Sequence, residues 1–378
     1  MSVLIAAALA AVTLSAVVLT WASIPPVIRL CQRRNWVQVP GGRRAHAEPT
    51  GNVGGIALYL GTMGALAGSL LVTGAIPGLQ RSSFELLRIG LVFLGGTLIF
   101  VVMWVDDVIE LPWWPKFIAQ TATGLIMVGP FLWEQTLHPV AGGGPDEASG
   151  ILLMAFNLPF IGQLSLHQIS PWLAIIATVF WIGWMCNTIN WSDGHDGVAA
   201  GISLIAATML AIHAVRLGQY TIAMIPLAVA GACAAFLRFN WPPARIFMGD
   251  SGAEFLGVML GVSAIIGGAK LATILLVLGV PILDVVWLII SRVLAGRSPT
   301  HGARDHLHHR LADMGLSPRQ IVAIFYSLSV GFGVLGISDI GASAKLLALA
   351  ALLVVGSALI AIATRRAVGR TLPPDAGG

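Results

Sequence analysis

Apolar residues run along this chain in blocks of about twenty, separated by short connections rich in glycine, proline and charge. An α-helix needs about 20 apolar residues to cross roughly 30 Å of hydrocarbon. Eleven blocks meet that length: 3–24, 53–76, 87–105, 116–133, 171–188, 197–215, 221–238, 253–268, 271–291, 319–336 and 343–363. The pattern predicts an all-α polytopic membrane protein with about eleven transmembrane helices. It shows no internal repeat and no polar stretch long enough for a second folding unit, so residues 1–378 read as a single integral membrane domain. The first block lacks a basic lead-in and reads as a retained span, not a cleaved signal. Residues 134–170 contain no Lys or Arg, and their apolar stretch ILLMAFNLPFIGQLSL (151–166) is broken by Asn157 and Pro159. That stretch fits either a small hairpin or re-entrant element, or a plain covering loop.

Composition agrees. The chain is 57% hydrophobic and 10% charged, with a mean hydropathy of +0.86. Soluble domains carry about 25% charged residues, so a soluble globule, a disordered chain and a disulfide-stapled scaffold are all excluded. A net charge of +4 and a pI near 9.3 would fit nucleic acid only if the basic residues clustered with aromatics, and they do not. Cys31, Cys186 and Cys233 are far apart and lack Cys-x-x-Cys spacing, so they read as packing residues. Sixteen of the 21 Lys and Arg residues follow blocks one, three, seven and nine or lie in the tail; five lie on the other side. The positive-inside rule then places the N-terminus outside and the C-terminus in the cytoplasm.

The few polar clusters fall on the inner connections. Asp106-Asp107 ends the third block, where a buried carboxylate costs several kcal/mol unless it is paired, metal-bound or hydrated. Adjacent helical residues point about 100° apart, so the two acids should do different jobs. The alternative is a plain helix stop in water ahead of Pro112. Between blocks five and six lies Asn187-Thr-Ile-Asn190-Trp-Ser-Asp193-Gly-His-Asp196-Gly197. Asp193 and Asp196 share a face if that turn is helical, and Gly194 and Gly197 admit close backbone approach. Phe247-Met-Gly-Asp250-Ser-Gly252 repeats the design before block eight; alone, Asp250 would read as an ordinary helix cap. Hard oxygen donors of this kind suit Mg²⁺ or Mn²⁺, usually through one or two carboxylates plus substrate phosphates. His301, His306, His308 and His309 crowd one inner loop with Arg304 and Arg310, a set that favours grasping phosphate over binding zinc. Asp284 is an intramembrane acid in block nine, expected to partner a neighbouring helix. Together these groups form apparatus for gripping a diphosphate at the bilayer edge, so one substrate can be a lipid phosphate.

In this order, VDDVIELPWWPKF, NTINWSDGHDGVAAG, FNWPPARIFMGDSGAEFLG and RDHLHHRL resemble the motifs of the polyprenyl-phosphate N-acetylhexosamine-1-phosphate transferase superfamily, and RRAHAEPTGNVGG resembles its first cytoplasmic motif. The likeness covers about residues 40 to 320. Asp305-His-Leu-His-His-Arg310 is similar to the branch that moves N-acetylglucosamine 1-phosphate onto undecaprenyl phosphate. The phospho-MurNAc-pentapeptide branch tends to show three consecutive histidines, and Leu307 interrupts that run here.

The resemblance implies a multi-pass protein of the bacterial inner (plasma) membrane with its site facing the cytoplasm. It implies transfer from a UDP-N-acetylhexosamine to polyprenyl (undecaprenyl) phosphate with Mg²⁺, giving GlcNAc-diphospho-undecaprenol and UMP. Asp250 would ligate the metal, and Asp106 and Asp107 would serve the same metal-diphosphate centre, with Asp107 a second metal residue. Asp193 would line the site, with Asp196, Asn240 and Phe247 toward the uridine. Lys116, Asn187 and Asn190 would be polar contacts, while His306, His308, His309 and Arg310 would engage phosphate or sugar. The sequence departs from the usual motifs at Gly51, His195, Val198 and Thr300-His-Gly-Ala303.

Direct attack by the lipid phosphate and a covalent aspartyl-phosphate route both remain open, as do the sugar, the downstream polymer, and a monomer or homodimer. A cation-coupled secondary transporter is the rival from another class. It would place acids near the bilayer midplane on broken helices in matching halves.

Overall fold

The structure is a computed structural model describing residues 1–38, 49–140, 144–158, 162–267, 311–312 and 314–338, together with Leu278, Gly279, Leu307 and scattered positions beyond 340. Among the described residues are eleven helices: α1 (Val3–Arg34), α2 (Gly55–Thr73), α3 (Ser83–Ile109), α4 (Trp113–Val128), α5 (Phe131–Glu134), α6 (Leu166–Ile169), α7 (Pro171–Ser192), α8 (Val198–Arg216), α9 (Tyr220–Asn240), α10 (Gly249–Ile266) and α11 (Pro318–Ile337). Eight of them, all except α4, α5 and α6, are long and apolar enough to cross a membrane. The protein is an all-helical, multi-pass membrane protein.

The expected blocks and the helices differ in places. Blocks 271–291 and 343–363 lie largely outside the described residues. Block 116–133 becomes a shorter helix: Gly129 takes φ +59° and Pro130 follows, so α4 stops at Val128 after 16 residues, about 24 Å. The stretch 151–166 takes the hairpin alternative. Strands β5 (Ala155–Leu158) and β6 (Gly162–Ser165) pair antiparallel there, beside a second hairpin of β3 (Leu137–Val140) and β4 (Gly144–Ala148). A third pair, β1 (Val37–Gln38) with β2 (Thr50–Gly51), follows α1.

The helices start and stop where local chemistry dictates. Ser82 accepts from the Glu85 N–H to open α3, with Glu85 itself in the favourable first turn. Asn35, at φ 58°, ends α1 by donating its N–H to the Cys31 carbonyl. Nearly every residue of α10 is buried, between α3, α7, α2 and α9. Gly257 permits this, because a Cβ there would sit 2.6 Å from the Cys186 Cα of α7. The core helix therefore cannot shift without moving its neighbours.

At the end where α3 begins, Arg88 donates to the Ala148 and Gly150 carbonyls and pairs with Glu147 at 2.9 Å, fastening the β3–β4 hairpin. Arg81 donates to Ser69 Oγ and Met224 Sδ; burial pulls its guanidinium pKa down, against the opposing effect of Glu85. At the opposite end the C-termini of α1, α3, α7 and α9 meet the N-termini of α2, α4, α8, α10 and α11, joined by contacts among their connections. Large apolar side chains face outward along the helices. Trp113 (75% exposed) and Trp114 (54%) do so on the first turn of α4.

Candidate active site

The site is built at the ends of α3, α4, α7 and α10. The apolar stripe of α3 runs out at Asp106, whose carbonyl accepts from the Glu110 N–H and whose Oδ1 accepts from the Leu111 N–H at 2.7 Å. That turn hands the chain to α4 through Pro112 and brings Lys116 back over the site. Lys116 Nζ lies 2.5 Å from Asp106 Oδ2 and 3.0 Å from Asp250 Oδ2. Asp106 is 5% exposed, so it is no helix stop in water.

Asp107 points elsewhere, as adjacent helical positions should. Its Oδ1 accepts from the Asp250 N–H at 2.7 Å, and its Oδ2 accepts from the Ser251 N–H at 3.1 Å and the Ser251 hydroxyl at 2.5 Å. An acid on α3 thus caps α10, satisfying N–H groups that have no partner within their own helix and lying at the positive end of its dipole. Asp250 is therefore not the cap of its own helix. It sits in the first turn of α10 with its side chain 37% exposed, far more open than Asp106. Its carboxylate hydrogen-bonds the Asn190 side chain and faces the Asp106 carboxyl.

Gly249 makes this approach possible. It takes φ +72°, and a Cβ there would lie 2.2 Å from the Asn52 carbonyl oxygen and 2.5 Å from Asp107 Oδ2. Gly249→Ala is expected to reduce folded yield and cut turnover by about two orders of magnitude, because the cap and the Asp250 position shift together. Monodisperse protein with native turnover would refute that.

Beneath Lys116 and Asp250 lies a second polar layer. Gln120 Nε2 donates to Glu254 Oε2 at 3.0 Å, and Gln120 Oε1 accepts from Asn187 Nδ2 at 3.0 Å. Gln120 and Glu254 are buried. Neither was among the candidates read from the sequence, nor were Ser251 and Asn52. The usable signal was spacing: Lys116 with Gln120, and Asp250 with Glu254, are i,i+4 pairs in otherwise apolar blocks.

The remaining candidates lace the neighbouring loops. Residues 193–197 form a turn rather than the start of α8, so Asp193 and Asp196 do not share a helix face. Asp193 is buried beside the end of α7, and Asp196 Oδ2 accepts from the Ala244 N–H at 3.0 Å. Asn240 Oδ1 accepts from the Gly197 N–H, while its Nδ2 donates to the Ile246 carbonyl. Phe247 is buried; its N–H donates to the Gly51 carbonyl at 2.8 Å and its carbonyl accepts from the Gly54 N–H at 2.9 Å. These bonds join the first motif, the 193–197 turn and the start of α10 into one floor. A Cβ at Gly51 would lie 2.8 Å from Cys31 Sγ, which accounts for glycine there. His195 Nε2 lies 3.4 Å from the Pro318 carbonyl at the start of α11. Asp284, His301, His306, His308, His309 and Arg310 lie outside the described residues.

The structure therefore brings Asp106, Asp107, Lys116, Asn187, Asn190 and Asp250 together, with Asp196, Asn240 and Phe247 in the adjoining floor. The family model of glycosyl transferase family 4 matches residues 89–268, the stretch that supplies α3 through α10. Decaprenyl-phosphate N-acetylglucosaminephosphotransferase of Mycobacterium tuberculosis is 32% identical over 347 residues, covering 84% of this chain and 79% of the relative. The chain belongs to glycosyl transferase family 4. A probable undecaprenyl-phosphate N-acetylglucosaminyl 1-phosphate transferase of Bacillus subtilis is 29% identical, covering 84% of this chain and 81% of its own length. Phospho-N-acetylmuramoyl-pentapeptide-transferase of Desulforamulus reducens is 31% identical, covering 83% and 90%. As a family 4 member the protein is a phosphoglycosyl (sugar-1-phosphate) transferase, and the helix ends carrying Asp106, Lys116, Asn190 and Asp250 all fall inside the matched stretch.

Proposed function

We propose that this protein transfers N-acetylglucosamine 1-phosphate from UDP-GlcNAc to undecaprenyl phosphate, releasing UMP and leaving GlcNAc-diphospho-undecaprenol in the membrane. The reaction would open a cell-envelope polysaccharide pathway in the bacterial plasma membrane, with the site toward the cytoplasm. One observation carries the reading: Lys116 held between Asp106 and Asp250 where α3, α4 and α10 meet. The GlcNAc-1-phosphate transferases among the relatives support the donor, and the excess of Lys and Arg on the site's side supports the orientation. Carboxyls at helix ends also favour this reading over a transporter, which would want them at midplane.

The donor set fits Mg²⁺ or Mn²⁺. Its acids are hard oxygen donors, and Asp106 Oδ2 and Asp250 Oδ2 converge on one cation, the Lys116 ammonium. Mg²⁺ is usually held by one or two carboxylates plus substrate phosphates, and two carboxylates at this opening suit that arrangement. Asp250 would hold it, since both Asp107 oxygens are engaged by the α10 start and there hold Asp250 in place. When bound, the ion supplies charge neutralisation on the diphosphate.

The protein's own groups do the positioning. Lys116 offers its ammonium to the phosphates, and Asp106 accepts a residual proton from the acceptor phosphate. An oxygen of the lipid phosphate attacks the β-phosphorus, the bond to the bridging oxygen breaks, and UMP leaves. Asn190 steadies the Asp250 carboxylate throughout.

A donor panel tests this. Purified protein with Mg²⁺ and undecaprenyl phosphate should form lipid-linked product and release UMP from UDP-GlcNAc, with UDP-GalNAc and UDP-MurNAc-pentapeptide at least about tenfold poorer in kcat/KM. Product from the pentapeptide donor alone would move the protein to the other branch. Solute uptake without UMP release would end the transferase reading.

A further inference from the structure

The polar residues beneath the site form a ladder with two rungs. Lys116 and Gln120 stand one turn apart on α4, Asp250 and Glu254 one turn apart on α10, and Asn190 and Asn187 about one turn apart on α7. The upper rung joins Lys116, Asp250 and Asn190. The lower rung joins Gln120, Glu254 and Asn187. Asn187 Nδ2 also donates to the Gly183 carbonyl at 2.7 Å, which anchors the lower rung to α7. The proposed chemistry uses the upper rung together with Asp106 and Asp107, and leaves Glu254 without a task.

Burying a carboxyl to 2% exposure in the second turn of α10 is costly, and a leucine would fit the surroundings more cheaply. What the side chain supplies is a hydrogen-bond acceptor at a fixed height on α10. Its Oε2 gives the Gln120 amide N–H₂ an acceptor on α10, which leaves the Gln120 oxygen to receive the Asn187 amide. Apolar side chains would tolerate α4 turning or sliding against α10 by a fraction of a residue. This chain of defined donors and acceptors does not. Lys116, one turn above Gln120, is thereby set at the height where one ammonium reaches both Asp106 and Asp250.

We propose that Glu254 is a positioning residue: through Gln120 it sets the register of α4 against α10, and so places Lys116 between the two reactive carboxylates. This rests on the transferase reading for its kinetic consequence, though not for its geometry.

The experiment uses full-length protein in lipid nanodiscs and three variants. Glu254→Leu and Gln120→Leu remove the polar rung while keeping comparable volume. Glu254→Gln keeps an acceptor for Gln120. Both leucine variants should lower kcat about tenfold or more with KM for UDP-GlcNAc within about twofold, and Glu254→Gln should stay within about threefold of wild type. The Q120L/E254L double variant should be no slower than the worse single, since both break one connection. Independently of turnover, acylation of Lys116 followed by mass spectrometry should run at least about threefold faster in the leucine variants, and at the native rate in Glu254→Gln, once the ammonium is no longer held between two carboxylates.

Native kcat and native Lys116 labelling in Glu254→Leu would overturn the proposal, as would additive losses in the double variant. If Glu254→Leu does not fold, Gln120→Leu carries the same comparison. Wild-type protein that transfers from no donor would sink the function, while the labelling rates would still decide the register.

Discussion

Asparagine in place of Asp250 is expected to lower turnover by about three orders of magnitude, near 4 kcal/mol of transition-state stabilisation, while leaving the protein folded in the membrane. The amide preserves size and one oxygen for Lys116, so the fold has little reason to change. What it removes is the charge of a half-open carboxylate, on a side chain that Lys116 and Asn190 already orient. The measurement is UMP release and lipid-linked product under saturating Mg²⁺, alongside thermal unfolding in detergent. Turnover within tenfold of wild type would remove Asp250 from the chemistry.

Asp107→Ala should fail differently, by loosening the fold. The substitution strips three hydrogen bonds from the start of α10 and leaves two backbone N–H groups and a hydroxyl to find new partners. Charge-assisted bonds of this kind are worth about 1.5–3 kcal/mol each, and partial rescue by water brings the total to about 3–5 kcal/mol. A fall of roughly 5 °C or more in the thermal midpoint follows, with activity lost in parallel. Asp107→Asn should recover part of the stability, since it keeps one acceptor while turning a donor toward Ser251. A native midpoint in Asp107→Ala would show that α10 does not depend on this cap.

Much of this could be read from the chain, for identifiable reasons. Blocks of twenty apolar residues leave little freedom, which is why α2, α7, α8 and α9 fall close to their expected limits. The acids were conspicuous because charge is so scarce. Asp106 and Asp107 were expected to diverge, and they do, yet which one would cap α10 depends on how α3 and α10 pack and leaves no trace in local spacing. The end of α4 at Val128 is invisible to an apolar count, which does not weigh Gly129-Pro130 against the hydrophobic residues on either side. Gln120 and Glu254 stand out far less, because a lone polar residue in an apolar block has no meaning until the helix it faces is known.

The paired indoles on the first turn of α4 have a bearing on how a lipid is met. Indole rings settle where acyl chains give way to headgroups, so Trp113 and Trp114 act as moorings that hold this helix end at a fixed depth. Lys116 lies less than one turn further on and inherits that depth. A phospholipid-like acceptor can thus present its phosphate without being hoisted from its leaflet, and its hydrocarbon tail stays in oil while its polar end reacts.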